Sequence, residues 1–132
     1  MLGHSYGGNT VLFHGALDER IRFACASGAA CTYRYKMAHG VGIEMAEVIP
    51  GLVTRYDLPE LVACFAPRQL LVVSVTDDKS SLDADQILTE AQAMCAAAGV
   101  ATRVEHLRYE GRHALTQERF EAILQWVTPW AG

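Results

Sequence analysis

The sequence lacks several patterns that would point to whole classes of protein. None of its cysteines forms a C-x-x-C pair, and no group of His, Cys, Asp or Glu has the spacing of a metal-binding motif. No apolar run reaches the roughly 18 residues of a membrane span, and no basic region followed by an apolar segment opens the chain as a secretory signal would. We therefore expect no metal, no membrane partner and a cytoplasmic location.

Positive charge is also scarce. The chain has 11 Lys and Arg against 15 Asp and Glu, for a net charge of −4. A nucleic acid would favour a basic face, so none is expected as a partner. With 132 residues, of which 51% are hydrophobic, the chain has the size and composition of one globular domain.

The four cysteines have no recognisable pairing pattern either. Three of them, Cys25, Cys64 and Cys95, lie in apolar stretches, and the fourth is Cys31. Cysteine often behaves as a small buried hydrophobic residue, and disulfides are rare in reducing compartments. We interpret all four as buried free thiols.

The first distinctive pattern lies at the start of the chain. Residues 3–7 read Gly-His-Ser-Tyr-Gly and fit G-x-S-x-G, the nucleophile elbow in which a sharp strand-to-helix turn exposes a strained serine. We expect the glycines on both sides to be required because a Cβ there would meet neighbouring backbone. Gly8 extends the motif. A nucleophile elbow needs a strand before it, and only Met1 and Leu2 precede this motif.

The rest of the chain alternates between helical and strand patterns. This order predicts an α/β fold, with a parallel sheet of about three to four strands flanked by helices. The continuous apolar run 70–75 is typical of a strand covered on both faces. The predicted elements are a helix at 8–16, a strand at 22–28, a helix from Asp57 to Pro67, the strand 70–75, a helix from Ser80 or Ser81 to Gly99, a strand at 102–109 and a helix from Thr116 to about Pro129.

Residues 29–56 interrupt this alternation. The segment contains Gly40, Gly42, Pro50 and Gly51 and several tyrosines. A long excursion between two strands is often a functional loop or a cap over a site. A plain surface loop with one helical turn near residues 43–48 fits the pattern equally well.

Candidate catalytic residues follow the strands in a particular order. The strand 70–75 is followed by Asp77 and Asp78, and the strand 102–109 by His113. Because the carboxyl ends of parallel strands meet at one edge of a sheet, these residues should lie near Ser5. The order serine, acid, histidine is that of α/β-hydrolase triads.

Each residue then has an expected role. Ser5 is the nucleophile, His113 the general base and acid, and an aspartate orients the histidine. The acid is either Asp77 or Asp78, and the usual G-x-x-D pattern after this strand favours Asp78, although valine occupies the glycine position. The backbone N–H of Tyr6, which follows the nucleophile, is the expected oxyanion-hole donor.

The sequence resembles the α/β-hydrolase superfamily, and within it the group of dienelactone hydrolases and acetyl-xylan-esterase-like proteins. The resemblance implies hydrolysis of a small-molecule carboxylic ester or related acyl bond without a cofactor. It covers nearly the whole chain but matches only the C-terminal half of the family's domain. It rests on Gly3 to Gly8, on Asp57-Leu58-Pro59-Glu60-Leu61 leading into Ala66-Pro67-Arg68, on the run 70–73, and on Asp77-Asp78.

In this family, strands and helices precede the elbow, including a loop that donates the second oxyanion-hole N–H. We therefore expect residues 1–132 to be a partial hydrolase domain, a fragment that begins at the elbow. An alternative is a hydrolase-fold binding or interaction domain without activity. A homo-oligomer that covers the open sheet edge is a further possibility.

Overall fold

The fold is an alternation of strands and helices in a computed structural model that describes residues 1–130. Short 3-10 turns at Met45–Glu47, Leu52–Thr54 and Thr128–Trp130 complete the described elements. The strands are β1 (Leu2–His4), β2 (Phe23–Ser27), β3 (Gln69–Asp77) and β4 (Arg103–Arg112). The helices are α1 (Tyr6–Leu17), α2 (Tyr33–His39), α3 (Leu58–Ala63), α4 (Ala84–Ala97) and α5 (Gln117–Val127).

The four strands form one parallel sheet in the order β1-β2-β3-β4. Helices α1, α3 and α4 pack on one face, and α5 packs on the other. The predicted α/β class and the parallel sheet of three to four strands are therefore confirmed. β1, which has only three residues, lies at the edge of the sheet, and Leu2 in it is 45% exposed.

Strand β3 is apolar throughout because helices cover both of its faces. Leu70 and Val72 pack into the core beneath α1, α3 and α4, whereas Leu71 and Val73 pack against Ile123 of α5. All four β3 side chains are at most 1% exposed. Such two-sided burial explains why the run does not alternate between apolar and polar residues.

Helix ends follow local signals at Asp57, Gly99 and Thr116. Asp57 and Glu60 form a capping box at α3, and the Thr116 hydroxyl accepts a hydrogen bond from the backbone of Arg119 at α5. Gly99 ends α4 with a φ of 69°. The prediction that Ser80 or Ser81 caps α4 is wrong, because that helix begins at Ala84 and Asp83 occupies its N-cap position. The predicted end of α3 at Pro67 is also wrong, because that helix ends at Ala63.

The cysteines only partly follow their expected placement. Cys25, Cys31 and Cys95 are buried, and burial raises the pKa of the Cys25 thiol to about 12. Cys64 is exposed, because it follows the last residue of α3 on the side turned away from the core. All four thiols are free, so the expectation of free cysteines stands while that of burial fails at Cys64.

The excursion at 29–56 folds around a buried ion pair. Lys36 Nζ of α2 contacts the Glu47 carboxylate, and both side chains are at most 2% exposed. The Tyr33 hydroxyl donates to the Glu47 backbone carbonyl. Asn9 of α1 donates to Glu44 at 2.7 Å, which ties the excursion to the helix that follows the elbow. The segment therefore has a specific structure of its own, including a helical turn within 43–48.

Within residues 1–130, no helix has both the length and the apolar character needed to cross a membrane.

Candidate active site

The turn at Ser5 is made by one strained residue. β1 ends at His4 and α1 begins at Tyr6, so Ser5 alone reverses the chain, with φ 57° and ψ −122°. Among residues 1–130, Ser5 is the one non-glycine residue with a positive φ. Such backbone geometry costs on the order of 1–3 kcal/mol and persists where the surroundings impose it. Here the Ser5 N–H donates to Ser27 O at 2.9 Å, which fixes the turn to the end of β2.

Two glycines make this turn sterically possible. A Cβ on Gly3 would lie 2.2 Å from the Gly7 carbonyl oxygen, and a Cβ on Gly8 would lie 2.7 Å from Ala29 Cβ and from Ser27 O. A Cβ on Gly7 would meet no atom within 4 Å. The expectation that both flanking glycines are required is therefore right for Gly3 and wrong for Gly7, whose supposed role belongs to Gly8.

Asp78 lies in the loop directly after β3 and is 5% exposed. Its Oδ1 accepts a hydrogen bond from the Ser80 N–H at 2.9 Å, and its Oδ2 accepts one from the Ser81 hydroxyl at 2.9 Å. These bonds fix the carboxylate in one orientation. They also explain why Ser81 does not cap α4, since its hydroxyl is used here.

His113 lies directly after β4 and connects the other two residues. Its Nδ1 is 2.9 Å from Asp78 Oδ2, and its Nε2 is 2.8 Å from Ser5 Oγ. With the proton on Nδ1, the ring donates to the carboxylate and accepts from the serine hydroxyl. The histidine side chain is 35% exposed, so one side of the arrangement faces solvent.

The alternative acid, Asp77, lies apart from this group. Its side chain is 77% exposed, and its nearest charged partner is Arg112, at 3.6 Å. Tyr6 is the first residue of α1, so its N–H is among those that a helix leaves without an intrahelical acceptor. That N–H lies next to Ser5 in the chain, at the positive end of the helix.

A second histidine, His4, lies beside His113. The His4 ring lies 4.9 Å from the His113 ring, centroid to centroid, and its Nδ1 is 3.0 Å from Ser27 Oγ. Burial lowers the pKa of His4, the charge of His113 lowers it further, and Asp78 opposes this shift. In the sequence, the adjacency of His4 to Ser5 is the one signal for this placement.

Gly28 provides the space for both histidines. It has a φ of 60°, and a Cβ there would lie 3.0 Å from His113 Cε1 and 3.1 Å from His4 Cε1. The backbone at the end of β2 thus forms the floor beneath the two rings. A larger residue at this position would displace His113 from its partners.

Comparison with solved structures identifies the fold. A glucuronoyl esterase from Solibacter usitatus superimposes with a TM-score of 0.75 at 19% identity, over 99% of this chain and 42% of that protein. A carbohydrate esterase family 15 glucuronoyl esterase from Caldicellulosiruptor kristjansonii gives 0.70 at 21% identity, over 95% and 41%. A methylesterase gives 0.64 at 18% identity, over 96% and 28%. No protein-family model and no curated protein sequence matches the chain.

The chain has the α/β-hydrolase fold, as its sequence resemblance predicted. It spans less than half the length of these solved structures and corresponds to the C-terminal half of the hydrolase domain. The comparisons show the fold alone, so the resemblance to the superfamily by sequence, and to dienelactone hydrolases in particular, stays a prediction.

Proposed function

We propose that the chain is the catalytic part of a serine hydrolase that cleaves a carboxylic ester or a related acyl bond. The observation that carries the proposal is the hydrogen-bonded series from Asp78 through His113 to Ser5, with separations of 2.9 and 2.8 Å. A serine hydroxyl is a weak nucleophile unless a base removes its proton. Here the base is in contact with the hydroxyl, and a buried carboxylate orients it.

The mechanism forms and hydrolyses an acyl-enzyme. Ser5 Oγ attacks the acyl carbon while His113 Nε2 takes its proton, and the Tyr6 N–H stabilises the resulting oxyanion. Collapse of the tetrahedral intermediate expels the alcohol, which takes the proton from His113. Water then attacks the acyl group in the same way, so that the acid is released and Ser5 regains its proton. Asp78 stabilises the imidazolium in both halves.

The substrate class follows from chemistry shared with the structural relatives. They are two glucuronoyl esterases and a methylesterase, so all three are esterases. We extend only that common feature to this chain. Hydrolysis rates for p-nitrophenyl acetate, a methyl ester and an alkyl ester of glucuronic acid would show which acyl and alcohol groups the site accepts.

We further propose that full activity needs a second segment of polypeptide. The solved structures contain much additional chain, and the outer edge of β1 has no neighbouring strand among residues 1–130. A second oxyanion-hole donor from such a segment is worth about 10²–10³ in rate. A second copy of the chain could cover the outer edge of β1 in place of such a segment, and sedimentation would then show a dimer. A stable monomer with a cooperative melt counts against that arrangement.

Covalent labelling tests the proposal on the chain as it exists. A fluorophosphonate probe should label wild-type protein on Ser5, as located by mass spectrometry, and should not label Ser5→Ala. Ser80→Ala is the matched control, because only the backbone of Ser80 contacts Asp78. Absence of labelling, both in folded wild-type protein and in a version joined to the N-terminal part of a hydrolase domain, would refute the proposal.

The second candidate function is a hydrolase-fold binding domain without catalysis. The chain's coverage of less than half of its structural relatives favours it, because an incomplete oxyanion hole would leave the triad ineffective. Turnover of p-nitrophenyl acetate that disappears in His113→Ala would exclude it. Labelling without turnover would indicate a reactive serine in a site unable to complete the cycle.

We also propose a reducing, cytoplasmic location. The four free thiols support it, including the exposed Cys64, which an oxidising compartment would leave open to disulfide formation. Fractionation of cells that express a tagged chain would check it. Recovery from an oxidising compartment with the thiols paired would contradict it.

A further inference from the structure

The loop that carries His113 is held by one buried arginine. β4 ends at Arg112, and Gly111 just before it has a φ of 114°, a conformation that turns the strand into the loop. The loop runs from there to Thr116, the N-cap of α5. Arg119 lies in the first turn of that helix, and its side chain reaches back beneath the loop.

The guanidinium of Arg119 binds the backbone on both sides of the histidine. Nη1 donates to the carbonyl oxygens of Arg112 at 3.0 Å and Ala114 at 2.5 Å. Nη2 donates to the carbonyl of Glu110 at 3.1 Å. The Arg112 carbonyl belongs to the peptide unit that directly precedes His113, and the Ala114 carbonyl lies one peptide unit beyond the histidine. These bonds therefore hold the backbone on both sides of His113 and restrict where its ring points.

Arg119 is itself immobilised. It is 6% exposed, and its guanidinium carbon lies 5.5 Å from the centre of the Tyr109 ring. Its Nε has no hydrogen-bond partner among residues 1–130, so Nη1 and Nη2 make all the bonds described for the group. A charge buried in this way needs its carbonyl partners, which makes the loop conformation and the arginine mutually dependent.

We propose that Arg119 is a positioning residue for the proposed reaction, acting through the loop to hold His113 in line between Asp78 and Ser5. The inference rests on the proposed function, since it assigns Arg119 a part in the chemistry of that site. Misplacement of a catalytic group by about 1 Å can cost about 10²-fold in rate. The planar fork of Arg is suited to this task because it reaches several acceptors at once, whereas the ammonium of Lys is a single point.

A matched control exists in the same chain. The Arg68 guanidinium also donates to several backbone carbonyls, among them Gly15 at 2.7 Å and Cys64 at 2.9 Å, and stacks on Phe65 at 5.0 Å. Its carbonyl partners lie at the end of α1 and beside α3, and none belongs to the His113 loop. Arg68→Met therefore removes an equivalent structural contact without touching the site.

The test compares inactivation kinetics with a fluorophosphonate probe. In Arg119→Met we expect the maximal inactivation rate to fall about 10- to 100-fold while the probe's half-saturation concentration stays unchanged. Arg119→Lys should recover part of the rate, and Arg68→Met should keep the wild-type rate even if its melting temperature falls. A wild-type rate in Arg119→Met, or in Arg119→Lys if the Met variant does not fold, overturns the inference, as does an equal loss in Arg68→Met.

A second readout separates this inference from the proposed function. The proton between His113 Nδ1 and Asp78 can be followed by NMR as a low-field resonance, without any turnover. We expect it in wild-type protein and in Arg68→Met, and expect it to broaden or vanish in Arg119→Met. If neither the wild-type protein nor its extended version is labelled, the proposed function fails, and this resonance still decides whether Arg119 positions His113. An unchanged signal in Arg119→Met overturns the inference.

Discussion

Oδ2 of Asp78 lies 2.9 Å from Nδ1 of His113 and accepts a second hydrogen bond from the Ser81 hydroxyl. The carboxylate is 5% exposed, so its interactions with the imidazole are little screened by water. In a triad, this group fixes the histidine tautomer and stabilises the imidazolium that forms during proton transfer. Asp78 contacts His113, whereas its neighbour Asp77 does not, so the proposed triad takes Asp78 as its acid.

Asp78→Asn should therefore abolish most reactivity. An amide at this position can donate to Nδ1 and so favour the wrong tautomer, a change that costs about 10⁴ in rate in serine proteases. Asp77→Asn is the matched control, because that side chain is 77% exposed and makes only a surface contact with Arg112. Fluorophosphonate labelling rates at pH 7 check both variants. If Asp77→Asn loses reactivity and Asp78→Asn keeps it, the assignment of the acid is wrong.

The glycines of the elbow give a second prediction, on stability. Gly3→Ala should destabilise by about 1–3 kcal/mol or more, because its Cβ would lie 2.2 Å from the Gly7 carbonyl oxygen and the backbone must move. Gly7→Ala should be neutral or stabilising by up to about 1 kcal/mol, since it lies in α1 with open space around it. Urea unfolding measures both, and equal destabilisation would contradict the steric account.

The sheet could be predicted from the sequence because its signals are local. A run such as 70–73 is apolar at every position, which indicates a parallel strand buried on both faces, and Asp57 with Glu60 marks a helix start. Parallel strands bring their carboxyl ends to one edge. The positions of Ser5, Asp78 and His113 near one another thus follow from chain order and strand direction alone.

Other features depend on particular side-chain contacts that no local pattern indicates. Asn9 meets Glu44 across 35 positions of sequence, and Ser81 turns to Asp78 although its place before α4 is typical of a cap. In the sequence, Arg119 is an ordinary charged residue in the first turn of a helix, and nothing there indicates that its side chain binds the backbone of the His113 loop. Long polar side chains reach acceptors that periodicity does not reveal.

The ion pair within the excursion gives a third prediction. Glu47 is fully buried and contacts Lys36 Nζ, and its other carboxylate oxygen accepts from the Glu44 N–H at 2.7 Å. Lys36→Met should destabilise by about 3–5 kcal/mol because it leaves a buried carboxylate without its cation. The double variant with Glu47→Gln should recover much of that loss, since no charge then remains buried.

The control for this pair is a surface ion pair between α2 and α4. Arg34 lies 3.5 Å from Glu90, and their side chains are 63% and 35% exposed. Arg34→Met should change the free energy of unfolding by no more than about 1 kcal/mol. Urea unfolding of all three variants checks the prediction. A small effect of Lys36→Met, comparable with that of Arg34→Met, would show that the buried pair does not hold the excursion together.

The last prediction concerns pH. His106 on β4 lies 2.7 Å from the Ser74 hydroxyl and 3.2 Å from an Asp85 carboxylate oxygen. Burial lowers its pKa below the ordinary 6.5, Asp85 opposes the shift, and the Arg108 charge adds to it. Below pH 6.5 the unfolded chain therefore binds more protons at this histidine than the folded chain. Stability should fall as the pH drops below about 6.5, by at most about 1.4 kcal/mol per pH unit for this group.

Two substitutions change this dependence in opposite directions. His106→Gln cannot be protonated and should flatten the decline in unfolding free energy between pH 7.5 and 5.5. Asp85→Asn removes the group that raises the His106 pKa, so it should steepen the decline. Urea unfolding at three pH values measures both slopes. His4, whose pKa is also lowered, contributes in the same direction and leaves a residual slope in His106→Gln. An unchanged slope in both variants would show that His106 does not contribute to the acid sensitivity.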